Sequence, residues 1–156
     1  MNGAEARLRA AGWTLPGAVG TRYGYLPALL HDRTVYVGGQ IPKLPNDTLA
    51  FAGVAGRDIS VDEARRGAEL CALQALAWMR EVLGTLDRVE RIVRLNGYVQ
   101  VEAGGHGHMS EIIDAASALF VTTFGDAGHH PRSVLGVAEL PRNAPVMIDV
   151  TAAVSN

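Results

Sequence analysis

A chain of 156 residues is long enough to bury one substantial core and short for two. With 14 Lys and Arg against 16 Asp and Glu, interspersed and without a basic stripe, strong electrostatic binding to nucleic acid is not indicated. No apolar run reaches membrane-spanning length, a lone cysteine excludes an internal disulfide, and the opening MNGAEARLRAAGW lacks the apolar core of a secretion signal. The expected location is the cytoplasm.

In chain order, residues 4–11 predict a short helix stopped by Gly12, followed by a loop rich in glycine and proline through Tyr23. Residues 25–40, YLPALLHDRTVYVGGQ, read as a hairpin turning at His31-Asp32-Arg33. After a loop over 41–58, Ser60-Val61-Asp62-Glu63 fits a capping box and opens the clearest helix. Its buried stripe is Ala64, Ala68, Cys71, Ala75, Trp78, Met79 and Val82, and Gly84 supplies the stop. Cys71 on this stripe reads as inert core, and Arg65, Arg66 and Arg80 as solvated helix face. Residues 91–101 form a strand, and 110–124 a second helix with Ile112, Ile113, Ala116, Leu119 and Phe120 inward. Two apolar runs joined by Pro-Arg-Asn-Ala-Pro close the chain as a pair of neighbouring strands. Strands alternating with helices of this length predict an α+β fold, a mixed sheet with both helices on one face. The uncovered face then needs company, which predicts self-association.

Arg132 stands at the mouth of the first closing strand, where a cation is out of place. Its planar fork suits bidentate recognition of a carboxylate. The structural alternative is an internal salt bridge to Asp149 or Glu139. The histidines give only a weak metal signal. His106 and His108 flank a glycine, while His129 and His130 are adjacent and point to opposite faces of an extended segment. No metal is expected from these residues. Either His129 or His130 could line a cleft beside Arg132, with loop solvation the plainer reading.

Three stretches resemble the YjgF/Rid family, which carries the label "endoribonuclease L-PSP". These are Tyr25 with Gly38-Gly39-Gln40-Ile41-Pro42, then Pro131-Arg132-Ser133, then Val137-Ala138-Glu139-Leu140-Pro141. With the helix–strand–helix between them, the likeness covers roughly residues 20–154, leaving 1–20 as an N-terminal extension of one domain spanning 1–156. The resemblance implies a chorismate-mutase-like fold, a homotrimer with clefts between subunits, and hydrolysis of small enamines or imines to ketones and ammonia without metal or cofactor. It implies that Arg132 clamps the substrate carboxylate, that the backbone amide of Val134 assists, and that Tyr25, Gly38 and Gly39 line the cleft. A bulge or tight packing is the alternative for Gly38.

The chain departs from the family pattern at the carboxylate that positions water. Fifteen residues after Arg132 stands Met147, whose thioether is a weak acceptor. Asp149 shares its strand face and could replace it through a displaced water. Asp114 on the second helix reads as solvated, the alternative being a place in the cleft. Two functions from different classes follow: an imine hydrolase, and a non-catalytic trimer that binds a small carboxylate. The family's ribonuclease label ranks below both, because no basic, aromatic groove is present.

Overall fold

The computed structural model describes residues 3–105 and 108–156. The elements are α1 (Ala4–Ala10), β1 (Ala28–His31), β2 (Thr34–Gln40), α2 (Val61–Leu83), β3 (Val89–Gln100), α3 (Met109–Phe124), β4 (Arg132–Val137) and β5 (Val146–Val154). The capping box forms as the sequence dictates. Ser60 Oγ accepts from the Glu63 amide at 3.1 Å, and Glu63 Oε2 accepts from the Ser60 amide at 2.8 Å. Such caps contribute about 1 kcal/mol. Gly84 ends the helix at φ 82°, a left-handed conformation that glycine adopts without cost.

The five strands make one mixed sheet in the order β1-β2-β5-β3-β4. The closing strands are therefore not neighbours, contrary to the simplest reading of their short connection. β3 lies between them, antiparallel to β5 and parallel to β4. The 132–137 run returns from α3 as the second strand of a crossover, so it pairs in parallel with the strand that preceded the helix.

Alternation along β5 settles the faces. Val146, Ile148, Val150, Ala152 and Val154 are buried, whereas Met147, Asp149 and Thr151 are half-exposed. The buried set meets α2 and α3, which together cover one face. The other face is bare, and Leu29, Tyr36 and Leu135 are exposed there. Residues 3–20 lie along the helical layer. Arg7 Nε donates to Thr123 O at 2.8 Å, the Ala4 amide to Asp87 at 2.7 Å, and Leu8 is fully buried. Among the described residues no helix is long and apolar enough to cross a membrane.

Close approach of α3 to β3 depends on Gly97, where an added Cβ would stand 2.6 Å from Ile113 Cγ1. At Gly38 the nearest atom would be Pro27 O at 3.5 Å, an ordinary contact. Gly97→Ala is expected to destabilise the fold by about 1–3 kcal/mol through overpacking, while Gly38→Ala stays within about 0.5 kcal/mol. Urea unfolding of the two variants checks this, and equal losses would contradict the packing.

Candidate functional site

Register fixes where each predicted residue can reach. Arg132 pairs with Leu95, which in turn pairs with Val150, and all three point toward the helices. Met147 pairs with Tyr98 on the bare face. Arg132 and Met147 of one chain are thus separated by β3 and lie on opposite sides of the sheet.

Arg132 is not left unpaired, nor does it turn to Asp149 or Glu139. Its guanidinium meets α3, donating to Asp114 Oδ1 at 3.2 Å, Ser117 Oγ at 2.9 Å and Ser110 O at 3.1 Å. The Asp114 side chain is 67% exposed, against 23% for Arg132. Asp114 is therefore neither purely solvated nor deeply engaged. An exposed ion pair of this kind contributes at most about 1 kcal/mol, so an incoming carboxylate can displace it.

Behind the arginine sits a fully satisfied relay. The Gly128 carbonyl can only accept, so its 2.6 Å contact places the proton of His130 on Nδ1. Nε2 then accepts from the Ser117 hydroxyl at 3.0 Å, leaving the Ser117 lone pairs for Arg132. Burial holds the His130 imidazole below the ordinary histidine range; the charges of Arg132 and His129 add to this, while the Gly128 contact opposes it. His130 is consequently tied into the arginine's support rather than solvated, whereas His129 is exposed. Phe120 meets the His130 ring edge-on at 6.0 Å.

Val134 lies two residues beyond Arg132 along the same strand. Leu95 donates to Pro131 O and Val101 to Val137 O, so the odd-numbered residues of β4 face β3. Parallel pairing alternates, which turns the Val134 amide outward at the unpaired edge of the sheet.

The other half surrounds a cavity of about 740 Å³ at the far end of β2 and the start of β5. Tyr25, Pro27, Gly39, Ile41 and Met147 line it; Gly38 does not. Gly38 and Gly39 form a bulge where the β2–β5 register shifts. The Met147 thioether lies over Gly39, where an added Cβ would be 2.6 Å from Sδ. Asp149 does not reach this cavity. Asn96 Nδ2 donates to Asp149 Oδ1 at 2.8 Å and the Tyr98 hydroxyl to Oδ2 at 3.1 Å. Burial, then the Asp149 charge, raise the Tyr98 pKa and keep the phenol a donor.

The cavity also has a charged wall that sequence reading missed: Arg22, Lys43 and Arg142 around Asp47. No local signal could have found it, because Asp47 and Arg142 are 95 residues apart in sequence. Among the described residues no three His, Cys, Asp or Glu side chains converge to hold a metal. His108 pairs with Glu111 at 2.9 Å, and His106 lies outside the described residues. Cys71 is buried, with its thiol pKa pushed well up by desolvation.

His130 makes the arginine's support sensitive to pH. Its folded-state pKa lies below the unfolded value of about 6.5. The unfolded chain therefore binds the proton more readily, so its contribution is complete above that pH and is lost as pH falls through it. Thermal melts between about pH 7 and pH 5 should drop less steeply for His130→Gln than for the unsubstituted protein. Parallel slopes would contradict the assignment.

Comparison with known proteins gives the same architecture. Residues 5–154 match the family model "YjgF/chorismate_mutase-like, putative endoribonuclease". Protein TCP17 of Trypanosoma cruzi is 35% identical over 153 residues, which is 97% of this chain and 94% of that protein. The crystal structure of Atu1372 from Agrobacterium tumefaciens, a protein of unknown function, is 36% identical, with a TM-score of 0.86 over 97% of this chain and 91% of that one. A more distant structure, Escherichia coli TdcF with bound serine, shares the fold at 20% identity and a TM-score of 0.61, over 90% of this chain and 93% of that one. The chain belongs to the YjgF/chorismate mutase-like family.

Proposed function

We propose that this protein is an imine or enamine hydrolase of the Rid type, acting on a small carboxylate-bearing substrate in clefts between the subunits of a homotrimer. The observation that carries the reading is the division of the predicted site. Arg132 and the outward Val134 amide lie at the β4 edge, while Tyr25, Gly39 and Met147 lie around a cavity two strands away and across the sheet. One chain cannot bring these halves onto one small molecule; a second copy can. The bare, partly apolar sheet face gives such copies a surface to bury. A serine ligand on a structural relative is in keeping with a small amino-acid-derived substrate.

In this mechanism Arg132 holds the substrate carboxylate after displacing Asp114, and the Val134 amide donates to the same group. Ser117 and the neutral His130 keep the guanidinium in place. A protonated imine carbon is already electrophilic. The protein therefore has to orient the substrate and exclude bulk water, while water adds to the imine carbon and ammonia departs to leave the ketone.

A second reading, a trimer that binds without turnover, is favoured by one observation. Among the described residues lining the cavity, Asp47 alone is a carboxylate, and its oxygens are occupied by cations; Met147 stands where the family pattern has its acid. The ribonuclease label finds no support in the −2 charge.

Ketone release from an enzymatically generated imino acid separates the two. The hydrolase reading expects release by a particle of three times 16.5 kDa, falling about 100-fold or more in Arg132→Ala. Carboxylate binding with no release would leave the binding reading. A large gain from Met147→Glu would show that the natural cleft lacks its acid.

A further inference from the structure

The cavity's charged wall has a surplus that the proposed reaction leaves unused. Lys43 Nζ lies 3.2 Å and Arg142 Nη1 3.1 Å from Asp47 Oδ1, and Arg22 Nη2 lies 3.2 Å from Oδ2. Asp47 is the sole acid among the lining residues, so one negative charge faces three positive ones. Holding the 41–50 loop to the β4–β5 connection would require one cation, since Arg142 alone spans the two with its second bond to Asp47 O at 2.6 Å. Lys43 is moreover only 17% exposed; its ammonium also donates to Gly20 O at 3.2 Å, but shares its one carboxylate with two other cations.

Backbone strain gathers at the same wall. Asp47, Arg142 and Asn143 adopt φ of 63°, 60° and 60°, three of the four left-handed positions outside glycine among the described residues. Asp and Asn tolerate this region; Arg does so at a cost of about 1 kcal/mol or more. The conformation is held by the Asp47 contacts and by Gln100, whose Nε2 donates to Asn143 Oδ1 at 2.6 Å. The result is a guanidinium turned back over a cavity that Tyr25, Pro27, Ile41 and Met147 also line. A polar end joined to apolar side chains in about 740 Å³ has the dimensions and character of a small-molecule site.

We propose that Lys43, Arg142 and Arg22 form a second anion-binding subsite, so that the ligand of the cleft is a dianion. One carboxylate sits on Arg132 of the adjoining copy and a distal anionic oxygen group sits on this wall, with an aliphatic stem along Tyr25 and Met147. The dianion rests on the inter-subunit cleft proposed above, whereas the subsite itself rests on residues of one chain. Arg142 supplies a planar fork and Lys43 a compact charge, a pairing suited to either a carboxylate or a phosphorus oxyanion.

Calorimetric titration of the full-length protein tests this with dicarboxylates of four to six carbons against monocarboxylates of the same lengths. A phosphono-carboxylate arm distinguishes the two kinds of distal group. At least one dianion is expected to bind about 10-fold or more tightly than its monoanionic counterpart, and that preference should vanish in Arg142→Gln. Arg22→Gln, altering a side chain that is 85% exposed and so leaving the fold intact, should reduce the preference in part. Arg132→Ala should weaken monoanions and dianions alike. Equal binding of both classes by the unsubstituted protein, or a preference that survives in folded Arg142→Gln and Arg22→Gln, overturns the subsite. Should the preference respond to Arg142 while Arg132→Ala changes nothing, the subsite stands and the inter-subunit clamp fails.

Discussion

The position of β3 governs how this protein can work. It is the longest strand, paired antiparallel with β5 on one side and parallel with β4 on the other. Its partner contacts place Arg132 against the helical layer and Met147 on the opposite surface. The two residues that the family pattern would bring to one substrate therefore face away from each other within a chain. Any site that uses both has to be assembled from two copies, and the bare sheet face is the surface such an assembly would cover.

The two halves differ in how they are built. The arginine half is prearranged by polar support: Ser117 and a neutral His130 fix the guanidinium, and an exposed Asp114 pairs with it. The cavity half is shaped by backbone. The Gly38-Gly39 bulge admits Met147, and left-handed residues at 47, 142 and 143 fold a cationic wall over it. Support of the first kind responds to pH through His130; the second is set by chain geometry and responds chiefly to substitution.

Much of this was legible in the residues. Periodicity and caps place both long helices to within a residue or so, because Ser60, Glu63 and Gly84 act on their own backbone neighbours. The alternation of Met147 and Asp149 with buried valine and isoleucine places them on one face for the same local reason. What was not legible is non-local. The apolar closing runs carry no mark that β3 inserts between them, since strand order is decided by the crossover through α3. The carboxylates nearest Arg132 in the closing stretch are Glu139 and Asp149, yet the side chain reaches the helix that precedes it. The Asp47 cluster joins residues from three separate loops, each of which reads alone as solvated charge.

The account is tested most directly by mixing two inactive halves. Arg132→Ala chains lack the clamp, and Gly39→Leu chains have their cavity filled beside Met147. Each alone should bind a small monocarboxylate far more weakly than the unsubstituted protein does. If each site takes its clamp from one copy and its cavity from the next, in the proposed trimer, assemblies refolded from an equal mixture regain carboxylate binding at about a quarter of the wild-type stoichiometry, since random assembly pairs two intact halves at one interface in four. No regained binding in mixed trimers of normal stability, or full binding by either variant alone, would contradict a site shared between copies.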